Sequence, residues 1–363
     1  DLDTMTSEAL SETRLATTTH TIYAARALRD FGDGFIAVLL PVYLTSIGFG
    51  AFEIGLVATA SLLGSALMTL AIGLLGARAD QRLLLIAASI LMTATGLAFA
   101  STATTAIILL IAFAGTINPS AGSVSVFVPL EHTLLSSAVA DKDRTRMFAR
   151  YSLIGALAAA SGALISGSPD LLASFGLSRI TALKLMFVLY AALGVAAALL
   201  YARLPADPTP AAEKPVSALG PSRGIVYKLA ALFSVDAFAG GFVVQSLMAL
   251  WLFNTFGMSL AAAGFFFFWT GVLAAFSFPV AAWLSTRIGL INTMVYTHIP
   301  SSLCLIAAAV SPSLEVALGL LLAGTSNGAA PLAEAWINQG AQGCANGNLT
   351  ITASFNGAAV WGD

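Results

Sequence analysis

Charged residues are scarce in this sequence of 363 residues. They make up 9% of the chain, against about 25% in an ordinary soluble domain. Hydrophobic residues account for 58%, and the mean hydropathy is +0.89. A soluble fold has no interior large enough to hide that much apolar surface. The composition therefore predicts an integral membrane protein that is embedded in the lipid bilayer.

The sequence also lacks the features of several other protein classes. Its net charge of -2 and isoelectric point near 5.9 leave no basic surface for phosphate backbones, so we expect no nucleic acid partner. Cys304 and Cys344 stand alone, which excludes a CxxC zinc site and a spaced disulfide framework. Motifs of the HExxH, GxSxG and GxxxxGK kinds are missing, so we predict no enzyme activity, no metal and no cofactor.

Ten apolar stretches have the length needed to cross a membrane. About 20 helical residues span the ~30 Å of hydrocarbon, and a continuous apolar stretch favours a helix over a barrel strand, which alternates polar and apolar residues. We predict an all-α polytopic membrane protein with six helices in a first bundle and four in a second. The ten stretches are residues 30–48, 53–76, 83–101, 105–129, 148–168, 181–203, 226–252, 260–284, 289–310 and 313–331.

Lysine and arginine are distributed unevenly over the segments between these stretches. Fourteen of the 16 basic residues lie before the first stretch or near the connections after the second, fourth, sixth and eighth stretches. Only Arg179 and Lys184 lie near the connections after the odd-numbered stretches. Cytoplasmic loops of membrane proteins carry the excess of basic residues. Both ends of the bundles are therefore predicted to face the cytoplasm.

The chain divides into five segments on this basis. They are a polar cytoplasmic tail (1–20), a six-helix bundle (21–203), a proline-rich cytoplasmic linker (204–225), a four-helix bundle (226–331) and a polar tail (332–363). The last segment contains no stretch that is apolar enough to cross the membrane.

A repeat with a fixed offset links the two bundles. The connection after the first stretch and the whole second stretch reappear 209 residues later. Two glycines and an arginine keep their spacing in both copies, which fits one membrane-spanning helix that ends in a cytoplasmic arginine. Internal repeats of this kind are typical of secondary transporters. The matching pairs are Gly48 and Gly257, Gly55 and Gly264, and Arg78 and Arg287.

These features resemble the major facilitator superfamily, whose members have two pseudo-symmetric six-helix bundles and a signature of glycine, acidic and basic residues after the second helix. The matching positions are Gly73, Arg78 and Arg82 in the first copy and Arg287 and Gly289 in the second. Ala77 stands where the family has its acid, and Asp80 stands where it has glycine. The resemblance implies that the motif gates the cytoplasmic side. Since the family has twelve helices, we also expect a chain truncated at its carboxyl end.

The resemblance implies a secondary active transporter that moves a small solute by alternating access. We expect a monomer in a bacterial inner membrane, coupled to a proton or another ion, with a neutral or cationic solute and efflux favoured over uptake. The family's symport arginine is missing from the fourth stretch, and its antiport proline is missing beside the glycines of the fifth. Those glycines, Gly155, Gly162 and Gly167, have a plainer interpretation, since small residues let membrane helices pack closely.

Two acids inside the apolar stretches are candidates for ion coupling. Asp33 lies in the first stretch and Asp236 in the seventh, and a charged side chain within a membrane usually faces the bundle interior or an ion path. The alternative for Asp33 is a pairing with Arg26 or Arg29 that anchors the helix end. His298 is a third candidate because histidine titrates near neutral pH, and its alternative is a side chain that is simply hydrogen-bonded.

Other polar residues are candidates for the gate and the solute cavity. Glu131 is predicted to form a gate salt bridge with Arg144 or Arg150, and the alternative is a solvated loop of mixed charge. The candidates for the solute cavity are the amides Asn118, Gln245, Asn254 and Asn327.

A different function class is also compatible with the sequence. Because two helices of the second bundle are missing, the chain could be a membrane protein that does not transport. It would then be a sensor on a transporter scaffold or an inactive truncated fragment. A sensor needs a folded output domain, and neither the linker nor the tails predict one.

Overall fold

A computed structural model describes most of the chain. The described residues are 2–75, 79–121, 125–138, 141–205 and 241–325, with scattered positions among 224–238 and four more within 354–359. Three predicted site residues, Arg78, Asp236 and Asn327, lie outside this part of the chain, and only the backbone of Arg144 is described.

Twelve α-helices lie within the described residues. Helices suit these apolar segments because every backbone group inside a membrane must find its partner within its own segment. In chain order they are α1 (Leu2–Ser46), α2 (Ala51–Leu75), α3 (Gln81–Ser101), α4 (Thr105–Ala114), α5 (Phe127–Ala138), α6 (Asp141–Ile165), α7 (Ser168–Ser174), α8 (Arg179–Tyr201), α9 (Gln245–Phe256), α10 (Leu260–Ile288), α11 (Leu290–Ala309) and α12 (Leu314–Thr325). A turn of 3-10 helix, Gly241–Val243, precedes α9, and two short strands, β1 (Ser354–Phe355) and β2 (Ala358–Ala359), pair antiparallel.

By length and composition, five of the described helical segments can cross a membrane. Four of them are α2, α3, α8 and the first part of α10. The fifth is Met147–Ser174, which covers most of α6 and all of α7. The last part of α1 is not among these five segments. It is as long as they are, but Arg29, Asp30 and Asp33 make it less apolar. The prediction of an all-α polytopic membrane protein is confirmed.

The two copies of the repeat share local backbone geometry. α1 and α9 are each followed by a glycine with positive φ, Gly48 at +96° and Gly257 at +62°, a conformation that other residues rarely adopt. These turns lead into α2 and α10, respectively. After α2 and α10, the next helices also begin at equivalent positions. Asp80 is the N-cap of α3 and Gly289 is the N-cap of α11, and these two residues have the same offset of 209. The offset found in the sequence therefore relates two similar stretches of structure.

The fourth apolar stretch forms two helices rather than one. α4 ends at Ala114, and α5 begins at Phe127. Between them the side-chain oxygen of Asn118 accepts a hydrogen bond from the N–H of Ser120 at 2.8 Å, a turn typical of asparagine, and Pro119 has no N–H to continue a helix. Non-helical backbone at membrane depth is tolerated where it is buried in protein or lines a cavity. We refer to the described residues 115–121 as the break of the fourth span.

Small residues bring α1 directly against α6. A methyl group added to Gly34 would overlap the backbone oxygen of Ala159, and one added to Gly162 would overlap the backbone oxygen of Phe31. Close approach through small residues is a common mode of helix packing in membranes. The packing interpretation of the glycines in the fifth stretch agrees with this contact.

The contacts divide the chain into two units. One comprises Asp1–Ala212 with Val244–Gly271, and the other comprises Glu213–Val243 with Val272–Asp363. The first unit contains α1 to α9 and the beginning of α10, so it includes the start of the second repeat. The charged side chains that are buried, among those the structure describes, all lie in this first unit. The segment boundaries given by the sequence stay a prediction.

We expect Gly162→Ala to lower the melting temperature of the purified protein in detergent, because the added methyl group must displace the backbone of α1. Overpacking of this kind costs roughly 1–3 kcal/mol. Gly319→Ala is the control, since a methyl group there meets nothing within 4 Å. Equal melting temperatures for the two variants would show that α1 and α6 do not approach so closely.

Candidate functional site

A row of charged residues lies along one face of α1. The row consists of Arg26, Arg29, Asp30 and Asp33. Residues three and four positions apart are neighbours on a helix surface, so these side chains project from successive turns. Arg29 and Asp30 are each 1% exposed, and Asp33 is 4% exposed. Buried charges are costly unless they are paired, so the partners of this row decide what it can do.

The guanidinium group of Arg29 forms a buried ion pair with Glu131 of α5. Its Nη2 lies 2.6 Å from Glu131 Oε2. Tyr151 of α6 donates to Oε2 and Tyr201 of α8 donates to Oε1, each at 2.5 Å. The ring of Phe127 faces the guanidinium group at 4.1 Å, a favourable cation–π distance. This one ion pair therefore ties four helices together.

A second ion pair lies one turn earlier on α1. Arg26 Nε is 2.5 Å from Asp30 Oδ2, and Arg26 Nη1 donates to the Tyr151 hydroxyl at 3.0 Å. α6 can approach this pair because Gly155 has no side chain, and a methyl group there would overlap Asp30 Oδ2. The two arginines of the row thus each hold one carboxylate.

The row and Glu131, together with the tyrosines that contact them, form one buried cluster. Asp33 is bound differently from the other two carboxylates of this cluster. Both described ion pairs of the cluster exclude it. Instead, the hydroxyl of Tyr190 on α8 donates to Asp33 Oδ1 at 3.2 Å. The same hydroxyl lies 3.2 Å from the backbone oxygen of Thr116, in the break of the fourth span. An anchoring pair of Asp33 with Arg26 or Arg29 does not form.

Three polar atoms of the cluster are buried without a hydrogen-bond partner among the described residues. They are Arg26 Nε, Arg29 Nη1 and Asp30 Oδ1, and the first of them has its ion-pair contact with Asp30. Native proteins leave few buried polar atoms unpaired, and an unpaired donor and an unpaired acceptor suit the binding of water or of a polar solute group.

Glu131 has a partner that the sequence did not predict. Its carboxylate binds Arg29, whereas Arg150 is exposed. The expectation of a solvated loop does not fit Glu131, which is 0% exposed. The reason is that α5 packs against α1, which brings the carboxylate to the arginine across the bundle. A gating role for Glu131, Arg144 and Arg150 stays a prediction.

The predicted gate motif includes residues on both sides of the connection between α2 and α3. Arg82 Nη2 donates to the backbone oxygen of Ala202 at 2.6 Å, which ties the start of α3 to the end of α8. The carboxylate of Asp80 accepts from the N–H of Arg82 at 2.8 Å and so caps α3. In the second copy, Arg287 lies over the ring of Trp283 at 5.1 Å. The remaining described residues of the motif are Gly73 in α2 and Gly289 before α11.

The other candidates are dispersed over the described chain. Asn118 is 3% exposed and holds the turn in the break of the fourth span. Gln245 is half-buried at the start of α9, and Asn254 is exposed near its end. These three belong to the first unit, while His298 is half-buried in α11 of the second unit. Their roles in the cavity and in coupling stay predictions.

Three tyrosines of the cluster were not found from the sequence. Tyr151, Tyr190 and Tyr201 stand within apolar stretches, where tyrosine has no distinctive spacing. A signal did exist for Arg29, since it is four residues from Asp33 on a continuous helix. The sequence interpretation placed it just before the first span.

The sequence matches a family model over most of its length. Residues 22–360 match the model of the Major Facilitator Superfamily. The chain belongs to this superfamily. Its members are membrane transporters of small-molecule solutes and not enzymes, as predicted. A curated relative, an uncharacterized membrane protein of Saccharomyces cerevisiae, is 23% identical over 317 residues, which are 78% of this chain and 71% of the relative.

Solved structures of transporters share the fold. A bacterial homolog of the human lysosomal transporter Spinster aligns with a TM-score of 0.61 and 18% identity over 86% of this chain and 72% of that chain. The nucleoside transporter NupG aligns with a TM-score of 0.65 and 14% identity over 90% and 86% of the two chains. A human organic anion transporter gives a TM-score of 0.61 and 15% identity over 88% and 84%. At these identities the likeness shows the fold alone.

We expect Glu131→Leu to lower the melting temperature in detergent strongly, because it leaves Arg29 buried without its counter-charge. Breaking a buried pair costs about 3–5 kcal/mol, whereas replacing both partners by apolar residues is often neutral. Combining it with Arg29→Met should therefore recover part of the stability.

The exposed ion pair of Arg179 and Asp170 provides the control. It is 3.3 Å long, with side chains 56% and 39% exposed, and such pairs contribute about 0–1 kcal/mol. Asp170→Asn should accordingly change the melting temperature little. If Glu131→Leu is no more damaging than Asp170→Asn, the buried pair does not hold the four helices together.

Proposed function

We propose that this protein is a proton-coupled secondary transporter, which moves a small solute by alternating access and uses Asp33 as the proton-binding carboxylate. The observation that carries this proposal is the unequal number of acids and bases in the buried cluster. A coupling site needs a group that changes its charge inside the membrane, and Asp33 has the position for it.

The cluster contains one more acid than base. Its two ion pairs use both arginines and two of the three carboxylates. Asp33, at 4% exposure, is left with a hydroxyl donor from Tyr190. A charge within a membrane costs roughly 2.5–3.5 kcal/mol on insertion scales, and binding one proton removes that charge. This imbalance supports reversible protonation of Asp33.

Alternating access links this protonation to movement. A transporter with two conformations shifts toward the one that its ligand binds better. An ionised Asp33 attracts a cationic group, while a protonated one does not, so proton and solute would occupy the site in turn. Such an exchange drives efflux when protons flow inward, which is the direction that we propose.

The solute class follows from the charge of the cluster rather than from the fold. A nucleoside transporter and an organic anion transporter are both structural neighbours, so the fold does not select a solute. The additional acid favours a cationic or neutral amphiphilic solute over an anion. Arg29 Nη1 and Asp30 Oδ1, which lack partners within the described structure, offer a donor and an acceptor for its polar groups.

We expect the purified chain in sealed vesicles to show proton flux that depends on added cationic or neutral solutes. A pH-sensitive dye inside the vesicles measures the flux across an imposed pH gradient. Asp33→Asn should abolish it, because an amide cannot take up the proton. Asp170→Asn, which changes a partly exposed acid, should leave it unchanged, and Asp236→Asn tests the other predicted acid.

Solute-dependent flux that survives in Asp33→Asn would sink the proposed role of this carboxylate. Binding of a solute without flux in any variant would favour the second candidate function, a membrane protein on a transporter scaffold that does not transport. Vesicles prepared without protein give the background leak in both cases.

We also propose that both ends of the bundles face the cytoplasm of a bacterial inner membrane, on the basis of the uneven distribution of lysine and arginine. Exposed positions at opposite ends of the helices can test this. With Cys304→Ser and Cys344→Ser as background, a membrane-impermeant maleimide should label Thr104→Cys in intact cells. It should label Arg203→Cys only after permeabilisation, and the reverse pattern would contradict the orientation.

A further inference from the structure

The hydroxyl of Tyr190 has a single proton and lies within hydrogen-bond distance of two acceptors, the carboxylate of Asp33 and the backbone oxygen of Thr116. It is 3.2 Å from Asp33 Oδ1, 3.2 Å from the backbone oxygen of Thr116 and 3.3 Å from Thr116 Oγ1. A hydroxyl group donates one hydrogen bond and accepts up to two. It therefore cannot donate to Asp33 and to the Thr116 backbone at the same time.

The protonation state of Asp33 decides between these two acceptors. An ionised carboxylate only accepts hydrogen bonds, and bonds to ionised groups are the stronger ones, so Tyr190 then donates to Asp33. A protonated carboxyl group can donate to the tyrosine oxygen instead, which turns the hydroxyl proton toward Thr116. The added proton comes from solvent and stays on Asp33, while Tyr190 keeps its O–H bond and only rotates it.

Thr116 lies in the break of the fourth span, where the backbone is not held by helical hydrogen bonds. Three residues further on, the backbone oxygen of Pro119 accepts from the N–H of Ser246 at 3.1 Å. The Ser246 hydroxyl donates to the backbone oxygen of Ala37 at 2.7 Å. The break is thus held by Tyr190 at one point and by the first turn of α9 at another.

Counted back along α1 from Gly48 and along α9 from Gly257, Ala37 and Ser246 occupy equivalent positions. They are 209 residues apart, the offset that also relates Gly48 to Gly257. Ser246 therefore marks a place where the second repeat meets the first within the first unit. Ala37 is four residues, about one helical turn, beyond Asp33 on α1.

We propose that Tyr190 is the positioning residue that couples the proton on Asp33 to the contact between the repeats at Ser246. It does so by moving one hydrogen bond onto the break of the fourth span. This inference rests on the proposed function of Asp33. A bond from Tyr190 to Thr116 tightens the break and displaces Pro119 relative to Ser246. Small displacements are enough, because packed elements switch between discrete arrangements.

The other ionisable groups around Asp33 are engaged in the two ion pairs and their hydroxyl donors. They are Arg26, Arg29 and Asp30 on α1, Glu131 on α5, Tyr151 on α6 and Tyr201 on α8. His132 of α5 also borders the cluster, with its ring 5.1 Å from the ring of Tyr151, and it takes part in neither ion pair. α9 contributes none, since its sequence QSLMALWLFNTF contains no ionisable residue. Asp33 is therefore the group on this path whose hydrogen bonding follows pH.

The test measures proton binding and conformation separately and needs no solute. Infrared difference spectra of the full chain during a pH titration report the band of the protonated Asp33 carboxyl, which Asp33→Asn identifies by removing it. Spin labels on Thr104→Cys and Ser259→Cys report the distance between a first-repeat and a second-repeat connection at the same pH values. Cys304→Ser and Cys344→Ser remove the native thiols.

In the unsubstituted protein we expect the distance distribution to shift with pH together with the carboxyl band. Tyr190→Phe should keep the band and lose the shift, because the ring remains and the hydroxyl is gone. Ser246→Ala should give the same loss from the other end of the path, and it serves as the test if Tyr190→Phe does not fold.

Tyr43→Phe is the matched control. The Tyr43 hydroxyl is also buried and donates to a backbone oxygen, that of Phe99, at 2.5 Å, but it faces no carboxylate. This variant should keep both the band and the shift.

Three results would overturn these claims in distinguishable ways. A full pH-dependent shift in Tyr190→Phe, with the carboxyl band present, refutes the coupling role and leaves Asp33 as the proton site. Loss of the shift in Tyr43→Phe as well refutes the specific role of Tyr190. A missing carboxyl band in the unsubstituted protein refutes the proposed function itself.

Discussion

The ion pair between Arg29 and Glu131 is the interaction on which the rest of the structure depends. A charge held away from water must have a partner close by, and each member of this pair satisfies the other, with hydroxyl donors of Tyr151 and Tyr201 completing the carboxylate. The pair fixes α1 against three other helices. It also sets the chemistry of Asp33, because an arginine without Glu131 would be free to neutralise that acid and remove the group that can change its charge.

The packing around α1 depends on backbone contacts as well as on charge pairs. α1 is in contact with α6, α8 and α9, and each of these contacts has a different structural basis. α6 packs closely against α1 at two glycines, Gly34 of α1 and Gly162 of α6. On α8, the ring of Tyr190 packs so near Gly32 that a methyl group there would lie 3.0 Å from it. α9 uses the first-turn hydroxyl of Ser246 on a carbonyl of α1. The part of α1 that carries the row of four charged residues is thereby packed against other helices.

The fold class and the repeat could be predicted from the sequence because both leave local patterns, the length of an apolar stretch and a constant offset. Asp33 was a candidate from the sequence as an acid in an apolar stretch, and Glu131 was a candidate as a partner for the arginines that follow it. Their partners could not be found, since the pairing of Glu131 with Arg29 joins residues 102 positions apart and that of Tyr190 with Asp33 joins residues 157 apart. The sequence interpretation counted Arg29 among the basic residues before the first span, because the distribution of basic residues depends on position along the chain and not on burial.

The hydrogen bond between Ser246 and Ala37 makes different demands on its two residues. The hydroxyl of Ser246 donates, and the backbone oxygen of Ala37 accepts at 2.7 Å. Because every residue supplies a backbone oxygen, the acceptor requires no particular side chain at position 37, whereas the donor requires a hydroxyl at position 246. Of these two positions, which are 209 residues apart, only one is therefore restricted in residue type by their contact.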